Sequence, residues 1–168
     1  MGKSASKPRE EKDEREPTPL EHARRLVTCI DAFMVEVCGY PDPAERTDEH
    51  GRRHFNRGSA SGIAWAEVAG EGEEQKCLFH AAARVMDLPS DRELLLPLYR
   101  ELLEINWVLV GVARLAVMNN GAWMVFSDVA NRVESPLQVA VAIDMVMGLA
   151  DGLDDQLVGK YGGTSASL

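Results

Sequence analysis

The sequence predicts an α+β domain: an antiparallel five-stranded sheet packed by helices, in the order α-β-β-β-α-β-β-α. Three observations carry this. Apolar residues recur at spacings of three and four in three separate segments, as on one face of a helix. Between those segments apolar residues alternate at a spacing of two, as on one face of a strand. The strand segments are joined by short turns, which close antiparallel pairs but cannot close parallel ones. With 168 residues the chain has the length of one domain.

The first helix runs from Pro19 to Val37, with Leu20, Ala23, Val27, Ile30, Met34 and Val37 in its stripe and Leu26 and Phe33 widening it. Gly39 and the Pro41/Pro43 pair end it. Residues 41–62 form a polar, Gly-rich loop with a basic patch at Arg52, Arg53, His54 and Arg57, and a short strand at His54–Asn56. Ile63–Ala69 reads as a strand, Gly70–Glu73 as a turn and Gln75–Asp87 as the longest strand. In that strand Cys77, Phe79, Ala81, Ala83 and Val85 make a core face, while Leu78, His80, Ala82, Arg84 and Met86 make a mixed, partly exposed one.

Pro89 ends the strand, and Ser90 with Glu93 forms a capping box for the second helix, which runs to Asn106 and contains Pro97. A strand at Val112–Met118 turns at Asn119-Asn120-Gly121 into a returning strand at Ala122–Val129. Ser135 and Gln138 form a second capping box, with proline at the first position of the third helix, Pro136–Lys160. The first half of that helix is apolar on every side, so it is buried on more than one face or covered by a second subunit.

Charge narrows the function classes. Twenty-seven acidic and 18 basic residues give −9 at pH 7. Residues 1–18 hold five of each and almost nothing apolar, so they read as a disordered charged tail and the whole excess lies beyond them. The domain then spans residues 19–162, and residues 163–168 form a small-residue tail. An acidic body disfavours nucleic acid, which asks for a basic face. Three scattered cysteines with no C-x-x-C pair fit free thiols in a reducing cytoplasm. The longest apolar run, Leu137–Ala150, is short for a membrane span and contains Asp144. Met1-Gly2 through Ser6 fits the loose pattern for N-myristoylation.

No catalytic set, cofactor motif or metal-ligand spacing stands out. Asp151, Asp154 and Asp155 read as a solvated helix end. Asp144, inside an apolar stretch, reads as a paired or outward-facing acid, with Arg114 as one partner; an unpaired one would be a base with a raised pKa. An alternative reading is a small enzyme or ligand-binding domain with a pocket near His80, Cys77 and Asp144. Another is an acidic inhibitor or immunity-type protein that binds a basic partner.

The stronger signal is surplus apolar surface. One sheet with three helices usually has one face covered, yet both sides of the 122–129 strand are apolar and Trp65, Leu78, Met86 and Met118 sit at outer positions. This predicts a protein interaction surface, chiefly a homodimer contact. Leu98, Leu102, Trp107, Met118 and Trp123 form the expected dimer contact, and Leu78, Met86, Trp65 and Phe33 the expected surface for a client or effector segment.

Three segments carry a resemblance: LLPLYRELLEIN ending at Asn106, VARLAVMNNGAWMVFSDV ending at Val129, and SPLQVAVAIDMVMGLADGLDDQL opening at Ser135. A leucine-rich helix ending in Asn, a hairpin with a Gly turn, and a last helix with a Ser-Pro cap and a late Asp-x-x-Asp resemble the bacterial YbjN family and the type III secretion chaperone-like fold. The resemblance implies a small acidic dimeric protein without enzymatic activity. In the secretion branch such dimers hold a partner's N-terminal segment, extended, on apolar grooves; in the YbjN branch the role is regulation or folding assistance.

Overall fold

Thr18 opens the first helix. Its hydroxyl accepts from the Glu21 backbone N–H while the Glu21 carboxylate accepts from the Thr18 N–H at 2.7 Å. In the computed structural model, which describes residues 16–57, 60–109, 111, 113–129 and 135–164, eight regular elements follow in the expected order. They are α1 (Pro19–Glu36), β1 (Arg53–Arg57), β2 (Ala60–Ala69), β3 (Lys76–Asp87), α2 (Arg92–Val108), β4 (Arg114–Met118), β5 (Gly121–Val129) and α3 (Pro136–Tyr161). Short 3-10 turns at Pro43–Arg46 and Gly72–Glu74 interrupt two of the connections.

The sheet has the order β1-β2-β3-β5-β4, with every neighbouring pair antiparallel. The last hairpin turns on Asn119 and Asn120, both at positive φ (47° and 58°), with Met118 paired to Gly121. That is the two-residue loop whose twist matches the strands, and Asn tolerates its left-handed conformation better than most residues. Ser135 and Gln138 make the expected reciprocal cap of α3. The α2 cap differs from the expectation. Asp91, not Ser90, accepts from the Glu93 N–H at 2.9 Å, because a carboxylate one residue closer reaches the free amide first.

α1 and α3 lie on one side of the sheet, and α2 flanks the β4 edge with Leu98 and Leu102 in the same core. The core there is built from Leu26, Ile30 and Met34 of α1, Phe79, Ala81, Ala83 and Val85 of β3, Met124 of β5, and Val139, Ile143 and Val146 of α3. Phe33 meets Phe55 edge-on, with ring centroids 5.6 Å apart. Gly62 is needed where α3 crosses: a Cβ there would sit 2.8 Å from both the Met147 sulfur and the Phe55 ring. By length and composition α3 resembles a membrane span, but it packs on β2, β3, β5 and α1 as a core helix.

Two departures occur at the ends of the unit. Thr18 caps α1, and Thr164 accepts from the Asp87 N–H and donates its hydroxyl to the Asp87 carboxylate at 2.6 Å. Both residues fall inside stretches expected as tails. Residues 1–15 and 165–168 of those stretches, and the expected strand start Val112, lie outside the described residues.

Candidate functional site: the uncovered sheet face

Cross-strand pairs point to the same side of a sheet, so register alone assigns each residue its face. One row runs across all five strands on the side away from the helices: His54, Ile63, Ala82, Val125 and Arg114. Beside it lie Trp65, His80 and Ser127 on one flank, and Arg84, Trp123 and Ala116 on the other; Glu67 and Leu78 pair further along. Among the described residues no helix packs on this face. Ile63 and Ala82 are buried there by neighbouring side chains and stand outside the main core cluster.

The centre of the face is an aromatic stack. The Trp65 indole lies on the His80 imidazole with centroids 4.6 Å apart and planes 14° apart. Arg52 sits over the other ring system at 5.6 Å from the Trp65 centroid, and Arg84 over Trp123 at 5.7 Å. Trp123 donates its indole N–H to the Met118 carbonyl at 3.0 Å. His80 Nδ1 shares a hydrogen bond with Ser127 Oγ at 2.6 Å, while Nε2 is buried without one and has Glu67 as its ionic neighbour at 3.6 Å. Burial lowers the His80 pKa, and the Glu67 charge only partly opposes that. Neutral His80 therefore belongs to the apolar surface.

Of the expected client-binding residues, Trp65 and Leu78 are half-buried on this face. Met86 is not on it. A β-bulge between Arg84 and Met86 inserts Val85 as an extra residue, so the alternation slips by one and Met86 turns inward opposite Ala122. Met86 is fully buried in the core, and so is Phe33, whose ring packs on Phe55. Neither side chain is available to a client.

The expected dimer contact is also rearranged. Leu98 and Leu102 are buried in the chain's own core. The opposite side of α2 is the exposed one: Leu96, Leu103 and Trp107 are 77%, 69% and 84% exposed, with Val108 beside them. Their spacings of seven and four place them on one line of the helix. A helix apolar on both sides carries that second stripe in its sequence. Trp123 belongs to the sheet face, and Met118 is half-buried at the end of the β4 edge strand.

The alternative site does not assemble. Cys77 and His80 lie three residues apart on one strand and so face opposite sides of the sheet. Asp144 is half-buried on α3, on the helix side, and is not without a partner. Among the described residues no group of three His, Cys, Asp or Glu side chains converges as a metal site. A second concave feature is an open groove of about 770 Å³ between α1 and the Pro43–Arg46 turn, walled by Ala32, Val35 and Pro43. Arg53, held on Asp31 at 2.9 Å, lines it as well. Beside it Asp48 organises the approach to β1. Burial raises its carboxyl pKa, but hydrogen bonds from the Arg52 N–H, the His54 ring and the His50 N–H outweigh that and hold it at about 2.

No protein-family model matches the chain, and no curated protein matches it significantly. Five chains of solved structures do. One belongs to the crystal structure of the ExsC–ExsE complex, with a TM-score of 0.59, 11% sequence identity, and coverage of 80% of this chain and 95% of that chain. At that identity the likeness is one of fold. This chain has the type III secretion chaperone-like α+β fold, with an antiparallel five-stranded sheet and three helices.

Proposed function

We propose that this chain is a non-enzymatic protein-binding adaptor or chaperone that acts as a homodimer and holds a client segment on its uncovered sheet face. The observation that carries the reading is that α1 and α3 cover one side of the sheet and α2 flanks its β4 edge. It leaves Trp65, Leu78, Val125 and Trp123 on one face with no helix over them among the described residues. Apolar surface of this kind marks an interaction site. The fold likeness to a protein in the ExsC–ExsE complex supports a protein partner. Cys29, Cys38 and Cys77 are joined by no disulfide, which suits a reducing cytoplasm.

The second copy docks through Leu96, Leu103 and Trp107. A two-fold contact is self-complementary, and one straight apolar stripe crossing its own copy satisfies that condition. The stripe lies on the helix layer, apart from the sheet face, so a dimer leaves the client surface open. Sedimentation tests the two roles separately. The full chain sediments as a dimer, and Leu103→Asp turns it into a folded monomer. Leu78→Asp leaves the dimer intact and abolishes co-purification of the client. A wild-type chain that remains monomeric at tens of micromolar removes the homodimer, and client retention by Leu78→Asp removes the sheet face.

A further inference from the structure

The chain is acidic overall, yet its uncovered sheet face is not. Of the charged residues placed there, Arg84 pairs with Asp87, while Glu67, beside neutral His80, and Asp48, on the His54 ring, keep their negative charge. Arg52, Lys76 and Arg114 outnumber these two carboxylates by one, and none of the three has an ion pair among the described residues. Arg114 ends the central row at the β4 edge, Lys76 lies beyond Leu78 on β3, and Arg52 lies over Trp65. With 27 acidic against 18 basic residues in the chain, a face with surplus cations around an aromatic centre runs against the composition.

We propose that the segment this face selects is an acidic one, in which carboxylates flank aromatic or aliphatic residues; this rests on the client-docking reading above. The apolar residues of the segment cover Trp65, Leu78 and Val125. Its carboxylates reach Arg52 and Arg114 at the two sides of the row. A guanidinium lying on an indole keeps its edge N–H groups free, so it holds a carboxylate with two hydrogen bonds while its face stays on the ring. His80 adds no charge here, because burial lowers its pKa by more than the nearby Glu67 carboxylate raises it. A nucleic acid fits less well. Its affinity comes from many phosphate contacts, and the −9 chain repels a polyanion more strongly than a segment with a few carboxylates.

The test uses the full chain and three short fluorescent peptides of one apolar sequence, flanked by Asp/Glu, by Asn/Gln or by Lys/Arg. The acidic peptide binds about tenfold more tightly than the neutral one, and the preference disappears in high salt. Arg114→Glu and Lys76→Glu, both at exposed positions, reverse the order toward the basic peptide. Arg24→Glu, on exposed α1 surface, leaves it unchanged. Equal binding of all three peptides, or tighter binding of the basic one, overturns the charge preference and leaves docking standing. Binding that is insensitive to Leu78→Asp and Trp65→Ala overturns the docking reading itself. Absence of binding by every peptide at millimolar concentration overturns the proposal. A single-stranded oligonucleotide that outcompetes the acidic peptide overturns it in favour of nucleic acid.

Discussion

Met86 shows how much one inserted residue changes. Strict alternation along β3 puts it beside Leu78, His80 and Arg84; the bulge at Val85 puts it in the core. The two strand positions therefore respond differently to the same substitution. Met86→Asp leaves an unpaired charge in the interior and lowers unfolding free energy by roughly 3–5 kcal/mol, read by urea denaturation. Leu78→Asp shifts the same curve little, because its side chain stays at a wet surface. Gly62→Ala forces a Cβ against Met147 and Phe55 and costs about 1–3 kcal/mol in the same assay. The bulge was not legible in the sequence, because Val85 and Met86 are both apolar and fit either face. The faces of Trp65, Leu78, His80 and Trp123 were legible, because a spacing of two fixes them once the strands are known.

Titration belongs to the same scale. His80 has a folded pKa below its ordinary value, so the unfolded chain takes up its proton first as pH falls. Its contribution to stability is complete above about pH 6.5 and declines on acidification below it, down to the folded pKa. His80→Gln flattens that part of the stability profile. Asp48 acts lower on the scale. Its stabilisation is present above about pH 4 and is lost as pH falls toward a folded pKa of about 2. Asp48→Asn removes that acid-limb loss, read by denaturation between those values.

At the scale of elements, α2 is the instructive case. Its inner stripe of Leu98 and Leu102 reads from sequence as readily as its outer stripe of Leu96, Leu103 and Trp107. Periodicity shows that both exist but not which one meets the sheet. That choice is made by Asn106, which clamps α2 to β4 through both its amide groups: Nδ2 donates to the Leu115 carbonyl at 3.0 Å, and Oδ1 accepts from the Leu115 N–H. It is also made by Tyr161 of α3, which bonds to Glu101. Once the helix is pinned at both places, Leu98 and Leu102 face in. Asn106→Ala frees the C-terminal end of α2, and hydrogen exchange there rises while the β2–β3 amides stay protected. The caps show a related limit. Ser135-Pro-Leu-Gln was legible, whereas at Ser90-Asp91 two adjacent capping residues compete, and only the backbone path decides between them.

At the scale of the whole molecule, two apolar surfaces match the two proposed partners. The helix side supplies the core and, through the outer stripe of α2, the proposed contact with a second copy. The other side of the sheet supplies an aromatic face edged by cations. The order of elements and the antiparallel sheet were legible from periodicity and turn residues, because those are local signals. The uncovered sheet face, the proposed client surface, was legible only in outline. Which side of a sheet the helices occupy, and which cations gather on the other, depends on long-range register that no single segment encodes. Site-specific photo-crosslinking in cells, with the photoreactive residue placed at Leu78 and, separately, at Trp107, reads both surfaces in one measurement. The account predicts adducts to a different protein from Leu78 and to a second copy of this chain from Trp107. Self-adducts alone from Leu78, or no protein adduct from either position, would contradict it.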